Sequence, residues 1–292
     1  MLGRSLIVIG TTVGAVSARA DLEETTVGGC RALLARPSRP GHGPALVFVN
    51  GSTPAGNREP FVRRLACGLA SAGCLVVVPE LPGLHQGALS DATVAATVAV
   101  AQELGGRVAL AGASAGASIA VLAATEPALA ADVSVVAGIA PFADLRRAVR
   151  LATVGRYGDD ARLRQPRLVE VVGRSLRALD GGPPVERLLA NRDPARFDEL
   201  YAVLPPSVTS AVARLSPIEA VGRLRAPLEL VSAPNDPYFP LAESEALVAA
   251  APAGRLTVTS VLDHARPRVS LGDLRELVRF ERFVSRVLRL AT

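Results

Sequence analysis

From Arg107 to Ala117 the chain reads R-V-A-L-A-G-A-S-A-G-A. This is an apolar run of strand length that stops on G-x-S-x-G and passes at once into an alanine-rich helical segment. A serine on so sharp a turn is lifted out of the strand, with its hydroxyl exposed and a helix N-terminus behind it. The flanking glycines have physical reasons: without side chains, Gly112 and Gly116 let strand and helix approach closely, while Ser114 takes a strained backbone conformation. The N–H of Ala115 then points at any oxyanion forming on a carbonyl bound at Ser114. Chance matches to G-x-S-x-G are common in a chain with 26 glycines. The pattern gains meaning from its strand-then-helix setting, and still more if an acid and a histidine follow it.

Both follow. Leu228-Glu229-Leu230-Val231-Ser232 reads as a buried strand and runs into a loop carrying Asp236. Leu256 to Val261 reads as another strand, with His264 just beyond it. A parallel sheet delivers residues that follow its strands to one edge, where open α/β sheets bind ligands. In that arrangement Ser114 is the nucleophile, His264 its base and Asp236 the group that orients the imidazole. Asp144, after the Val133–Ile139 strand, is an alternative acid. Asp263 adjoins His264, but neighbouring side chains at a strand end diverge. The chain's other histidines are His42, in the turn Pro40-Gly41-His42-Gly43, and His85, in Pro82-Gly83-Leu84-His85. His85 is expected to border the pocket at most.

The order Ser114, Asp236, His264 on these elements resembles the serine hydrolases of the α/β-hydrolase superfamily, of the esterase and dienelactone-hydrolase-like kind. The resemblance covers nearly everything after residue 21 except a variable middle segment, and includes the lead-in Ser216-Pro217-Ile218-Glu219 to the acid-bearing strand. It implies an α/β-hydrolase fold: a mostly parallel sheet, helices on both faces and a helical cap inserted before the acid-bearing strand. It further implies acyl transfer to Ser114, with the backbone N–H groups of Ser52 and Ala115 as oxyanion hole and Gly51 at the pocket border. There are two departures. Dienelactone hydrolases proper carry cysteine at the elbow. Lipases and hormone-sensitive-lipase relatives often show His-Gly after the third strand, where this chain has Asn50-Gly51. The oxyanion donors are backbone groups, so that histidine is not chemically required.

The remaining segments alternate as the fold requires. Strands are expected at 24–27, 31–35, 45–49, 74–79 and 133–139, and helices at 60–72, 91–104 and 115–124. A last helix over 271–290 repeats Leu274, Leu277, Val278, Phe283, Val284, Val287 and Leu288 at helical spacing. The alternation stops between about 146 and 215, where helical patterns such as 168–179 dominate. The expected organisation is therefore a core of 21–143 and 217–292 with a cap of 144–216. That cap holds thirteen arginines against nine acids and so carries most of the net charge of +5. It reads either as a lid favouring anionic or polar substrates or as a solvated surface.

Residues 1–20 place Arg4 before the apolar run Ser5 to Val16, followed by Ser17-Ala18-Arg19-Ala20. This has the form of a secretory signal or N-terminal anchor, favouring a secreted or membrane-tethered protein over a cytoplasmic one. The run is short for a stable membrane span. A buried first strand over Leu6 to Ile9 is the alternative. Strands enough for the sheet lie after residue 21, so the segment is expected to be surplus to the fold. All 32 basic residues are arginine, yet aromatics are 3% and no basic run is interleaved with stacking residues, which argues against a nucleic-acid partner. Three cysteines without C-x-x-C spacing carry no metal or redox signature. No cofactor motif appears either, because the glycine pattern carries Ser114 rather than a phosphate cradle.

The function expected is hydrolysis of small carboxylic esters without a cofactor or metal. Two alternatives stand beside it: a catalytically silent binding or scaffold protein on the same fold, and an amidase, lactonase or peptidase with the same three residues.

Overall fold

The computed structural model describes residues 2–37, 43–268 and 274–292. His42 and the expected helix start at Leu271 lie outside these residues. The chain opens on helix α1 (Leu2–Thr12), then an antiparallel pair β1 (Asp21–Val27) and β2 (Cys30–Arg36). Alternation follows: β3 (Ala45–Val49), α2 (Pro60–Ser71), β4 (Leu75–Pro79), α3 (Asp91–Leu104), β5 (Val108–Ala113), α4 (Ala115–Thr125) and β6 (Val133–Ile139). An insert then brings α5 (Leu145–Val154), a short hairpin β7 (Arg156–Tyr157) and β8 (Asp160–Ala161), and helices α6 (Pro166–Leu179), α7 (Pro183–Ala190), α8 (Phe197–Ala202) and α9 (Pro206–Arg214). The core resumes with β9 (Leu228–Ser232), α10 (Leu241–Ala250), β10 (Gly254–Val258) and α11 (Leu274–Ala291).

Eight strands form one sheet in the order β1-β2-β4-β3-β5-β6-β9-β10. β2 runs antiparallel to both β1 and β4, and every pairing from β4 through β10 is parallel. The α/β-hydrolase fold expected from the sequence is the fold observed. β3, β4 and β5 are apolar almost throughout because helices cover both faces, and β9 is buried throughout although it carries Glu229 and Ser232. Alternation sorts their side chains. Val47, Val49, Val108 and Leu110 join the core shared with α3, α4 and the insert, while Leu46, Phe48, Ala109 and Ala111 join the core under α1, α2 and α11. β1 lies at the sheet edge and is largely polar, D-L-E-E-T-T-V, which disfavours edge-to-edge pairing. Helix α4 is buried along its whole length, so its A-G-A-S-I-A-V-L-A-A-T sequence shows no apolar stripe.

The insert is pinned at its base. Ser216 Oγ accepts from the N–H of Leu145 at 2.9 Å, and the N–H of Ile218 donates to Ala143 O at 3.0 Å. Glu243 on α10, 1% exposed, accepts at Oε2 from the N–H groups of Ala143 and Asp144 and pairs with Arg147 at 2.6 Å. The buried carboxylate is thus held by two backbone N–H groups at Oε2 and by a guanidinium charge beside Oε1.

The N-terminal segment departs from expectation. It is neither surplus to the folded body nor a strand. Ser5, Val8, Ile9 and Thr12 fall on one helical stripe and are buried against α2 and α11. Gly68 on α2 makes room, since a Cβ there would sit 3.1 Å from Val8 Cα. Ser5 Oγ donates to Glu281 of α11 at 2.6 Å. Among the described residues no helix is long and apolar enough to cross a membrane.

Candidate active site

Parallel strands bring their C-terminal ends to one edge, and four loops meet there: Asn50 to Pro54 after β3, Ser114 after β5, Asp236 after β9 and His264 after β10. Ser114 joins strand to helix with φ 55° and ψ −129°. Hydrogen bonds hold it there. Its N–H donates to Ile139 O at 2.7 Å, and its carbonyl accepts from the N–H of Ala117 at 2.9 Å. The two glycines are required by contact. A Cβ on Gly112 would overlap the carbonyl of Gly116, and one on Gly116 would collide with the carbonyls of Val49 and Asn50.

Ser114 Oγ lies 2.8 Å from His264 Nε2. His264 Nδ1 lies 2.8 Å from Asp236 Oδ2 and 3.0 Å from Oδ1. An ionised carboxylate only accepts, so Nδ1 carries the proton and Nε2 presents its lone pair to the serine. Asp236 is 2% exposed, and its Oδ1 also accepts from the N–H groups of Tyr238 and Phe239 at 2.8 and 2.9 Å. The rings of these two residues stand 4.5 and 5.8 Å from the imidazole, centroid to centroid. His264 itself has φ 54°.

Asp144, the alternative acid, is occupied elsewhere. Its Oδ1 caps α5 by accepting from the N–H groups of Arg146 and Arg147. Asp263 is exposed and 4.0 Å from Arg268. The loop after β3 is shaped by Asn50, whose Oδ1 accepts from the N–H of Gly51 and whose Nδ2 donates to Gly56 O, both at 2.8 Å. Asn50 thus folds the loop that carries Ser52. Gly51 packs on the elbow, 3.4 Å from Ser114 Cβ to where its own Cβ would stand. Among the described residues, the N–H groups of Ser52 and Ala115 donate no hydrogen bond to the protein.

These residues surround a cavity of about 460 Å³, within the range of small-molecule sites. Gly51, Ser52, Ser114 and His264 all line it. His85 does not. The chain turns between Pro82 and Ala88 and sends His85 instead to a separate polar cavity beside Glu80, Arg58 and Arg31.

The site also holds a residue that sequence reasoning missed. Arg167, on α6 of the insert, donates from Nε to Ser52 O and from Nη2 to Ser52 Oγ, each at 3.1 Å, while its Nη1 holds Glu170 at 2.6 Å. An arginine 115 positions from Ser52 leaves no local signal, and thirteen arginines in the insert conceal it. Tyr238 and Phe239 were legible in principle, as aromatics directly after the acid. Part of the insert's charge is paired: Arg146 with Asp198, Arg174 with Glu170, Arg177 with Glu186 and Arg214 with Asp91 of α3.

No curated protein matches this sequence. Solved structures do match in fold. A hormone-sensitive lipase from a metagenome library is 16% identical over 98% of this chain and 91% of its own, with a TM-score of 0.60. EstE5 is 17% identical over 98% and 92%, with a TM-score of 0.59. Est1E from Butyrivibrio proteoclasticus is 13% identical over 94% and 99%, with a TM-score of 0.56. The family model described as the alpha/beta hydrolase family matches residues 46–272, more than three quarters of the sequence. This match, together with the eight-stranded sheet, means that the chain belongs to the alpha/beta hydrolase family.

Proposed function

We propose that this protein is a serine hydrolase that cleaves carboxylic esters through an acyl-enzyme. The observation that carries the reading is the unbroken line from Ser114 Oγ through His264 to Asp236, with 2.8 Å at each step. In the first half-reaction Ser114 Oγ attacks the ester carbonyl and His264 Nε2 takes its proton. Asp236 holds the imidazole in the required tautomer and stabilises its charged form. The N–H groups of Ala115 and Ser52 receive the oxyanion, whose stabilisation in a fixed, partly dry site is commonly the largest single contribution to such a rate. Collapse of the tetrahedral intermediate expels the alcohol, which takes the proton from His264. Water then attacks the acyl-enzyme with the same proton movements, releases the acid and restores Ser114. The segment 144–216 acts as the cap of this site, with Arg167 joining it to the oxyanion loop.

The test is a panel of p-nitrophenyl esters with fluorophosphonate labelling. Turnover together with label on Ser114 supports the proposal. Neither turnover nor label makes the chain a silent member of its family. Label with amide but not ester turnover moves the chemistry to amides.

A further inference from the structure

The sheet face away from the insert holds a second void, of about 70 Å³, between β3, β5 and β6 on one side and α1, α2 and α11 on the other. β3 presents Leu46 and Phe48 to it, but β5 and β6 present Ala111 and Ala137, and the space beneath α11 is left unfilled. Thr12 is the one polar side chain in its lining among the described residues, and its hydroxyl already donates to Val8 O at 2.6 Å. A buried water needs two to four polar partners, so this lining favours an apolar occupant over water. Dry apolar cavities of about 150 Å³ take up benzene. At about half that size, this one accommodates roughly three carbons of a chain.

Its position gives it an occupant. Phe61 and Ala265 line both this void and the cavity around Ser114. Ala265 directly follows His264, and Gly112, two residues before Ser114, also lines the void. The void therefore begins next to the proposed catalytic groups and runs away from them into apolar protein. Val8 and Ile9 of α1 also line it.

We infer that this void receives the distal carbons of the acyl group while its carbonyl is held at Ser114, with the Phe61 ring as the partition the chain passes. The inference rests on the ester-hydrolase reading and narrows it to unbranched acyl chains of about four to six carbons, the reach set by the void's volume. Longer chains meet α1.

The experiment compares p-nitrophenyl acetate, butanoate, hexanoate and decanoate on the wild-type chain and on Ala137→Val, with Ala111→Val as a second variant should the first not fold. Valine suits a strand and fills part of the void without touching Ser114, His264 or Asp236. The wild-type kcat/KM should rise by up to about fourfold per methylene that becomes buried, as far as hexanoate, and fall at decanoate. The filled variants should lose about tenfold on hexanoate and stay within twofold on acetate. An independent arm needs no turnover: xenon, small enough for the void, should raise the melting temperature of the wild type and not of the filled variant. Ester turnover with the same chain-length profile in folded variants overturns the acyl assignment alone. A wild type that cleaves no ester removes the ester-hydrolase reading, and the acyl assignment with it, whatever xenon does.

Discussion

The backbone of Ser114 offers the sharpest test of how the elbow is built. Its φ of 55° and ψ of −129° are the mirror image of an ordinary extended conformation, and correspond to the first central position of a type II′ turn, where glycine is preferred. An L-residue held there costs on the order of 1–3 kcal/mol. Replacing Ser114 by Ala keeps that strain and loses only the hydrogen bond to His264. Replacing it by Gly loses the same hydrogen bond but releases the strain, offset by about 0.5–1 kcal/mol for the greater freedom of glycine in the unfolded chain. Comparing the two variants cancels the lost hydrogen bond. Ser114→Gly should therefore be more stable than Ser114→Ala by about 1–2 kcal/mol. For a chain of this length that is roughly 2–3 °C in melting temperature, from an unfolding entropy of about 2.1 cal/mol/K per residue. Both variants should be inactive on esters. Calorimetry on matched samples, or urea unfolding if it proves reversible, reads the difference. If Ser114→Ala equals or exceeds Ser114→Gly in stability, the elbow stores no strain and the argument from its dihedrals is wrong.

Other outcomes follow from the same geometry. Asp236→Asn should leave KM for a short ester nearly unchanged and cut kcat by several orders of magnitude, because the amide favours the wrong imidazole tautomer; an unchanged kcat would take Asp236 out of the mechanism. Arg167→Ala should lower kcat/KM about tenfold by freeing Ser52, equivalent to ~1.4 kcal/mol, with Arg167→Lys recovering part of the loss; equal activity in all three would make the contact incidental. Removing residues 1–16 exposes the surface that Val8 and Ile9 cover at 3% and 8% exposure, and should cost at most about 3–6 kcal/mol, read as a lowered melting temperature; no change would mean that α1 does not pack in solution. Burial pushes the Cys74 thiol up to about 11, with Arg4 pulling slightly the other way. Iodoacetamide at pH 8 should therefore leave Cys74 unmodified in the folded chain and modify it on unfolding, as peptide mapping would record.

Much of the fold is legible along the chain because its signals are local. Continuous apolar runs mark β3, β4 and β5, and the i, i+3, i+4 repeat marks α11. The elbow is legible because only glycine fits at 112 and 116. Where the N-terminal segment packs was not legible, for the opposite reason. A short basic and apolar start carries no local sign of a buried stripe, and only the groove between α2 and α11 receives Ser5, Val8, Ile9 and Thr12. His85 was placed near the pocket because it follows a strand. The turn after Leu81 carries it to a neighbouring cavity instead, and no local pattern records where a turn of that length points.

Taken alone, the chain determines the strand–turn–helix at Ser114, the order of acid and base behind it, and the parallel α/β class. These depend on hydrophobic periodicity and on steric demands within a few residues. Only the folded protein decides which acid reaches the imidazole, because Asp144 and Asp236 both follow strands and differ in whether their oxygens are already spent on a helix cap. Only the folded protein brings Arg167 to Ser52 across 115 residues and leaves an apolar void beneath Ala111 and Ala137. Those features arise where separate elements meet, and the energy of such meetings depends on shape in three dimensions, which no spacing along the chain encodes.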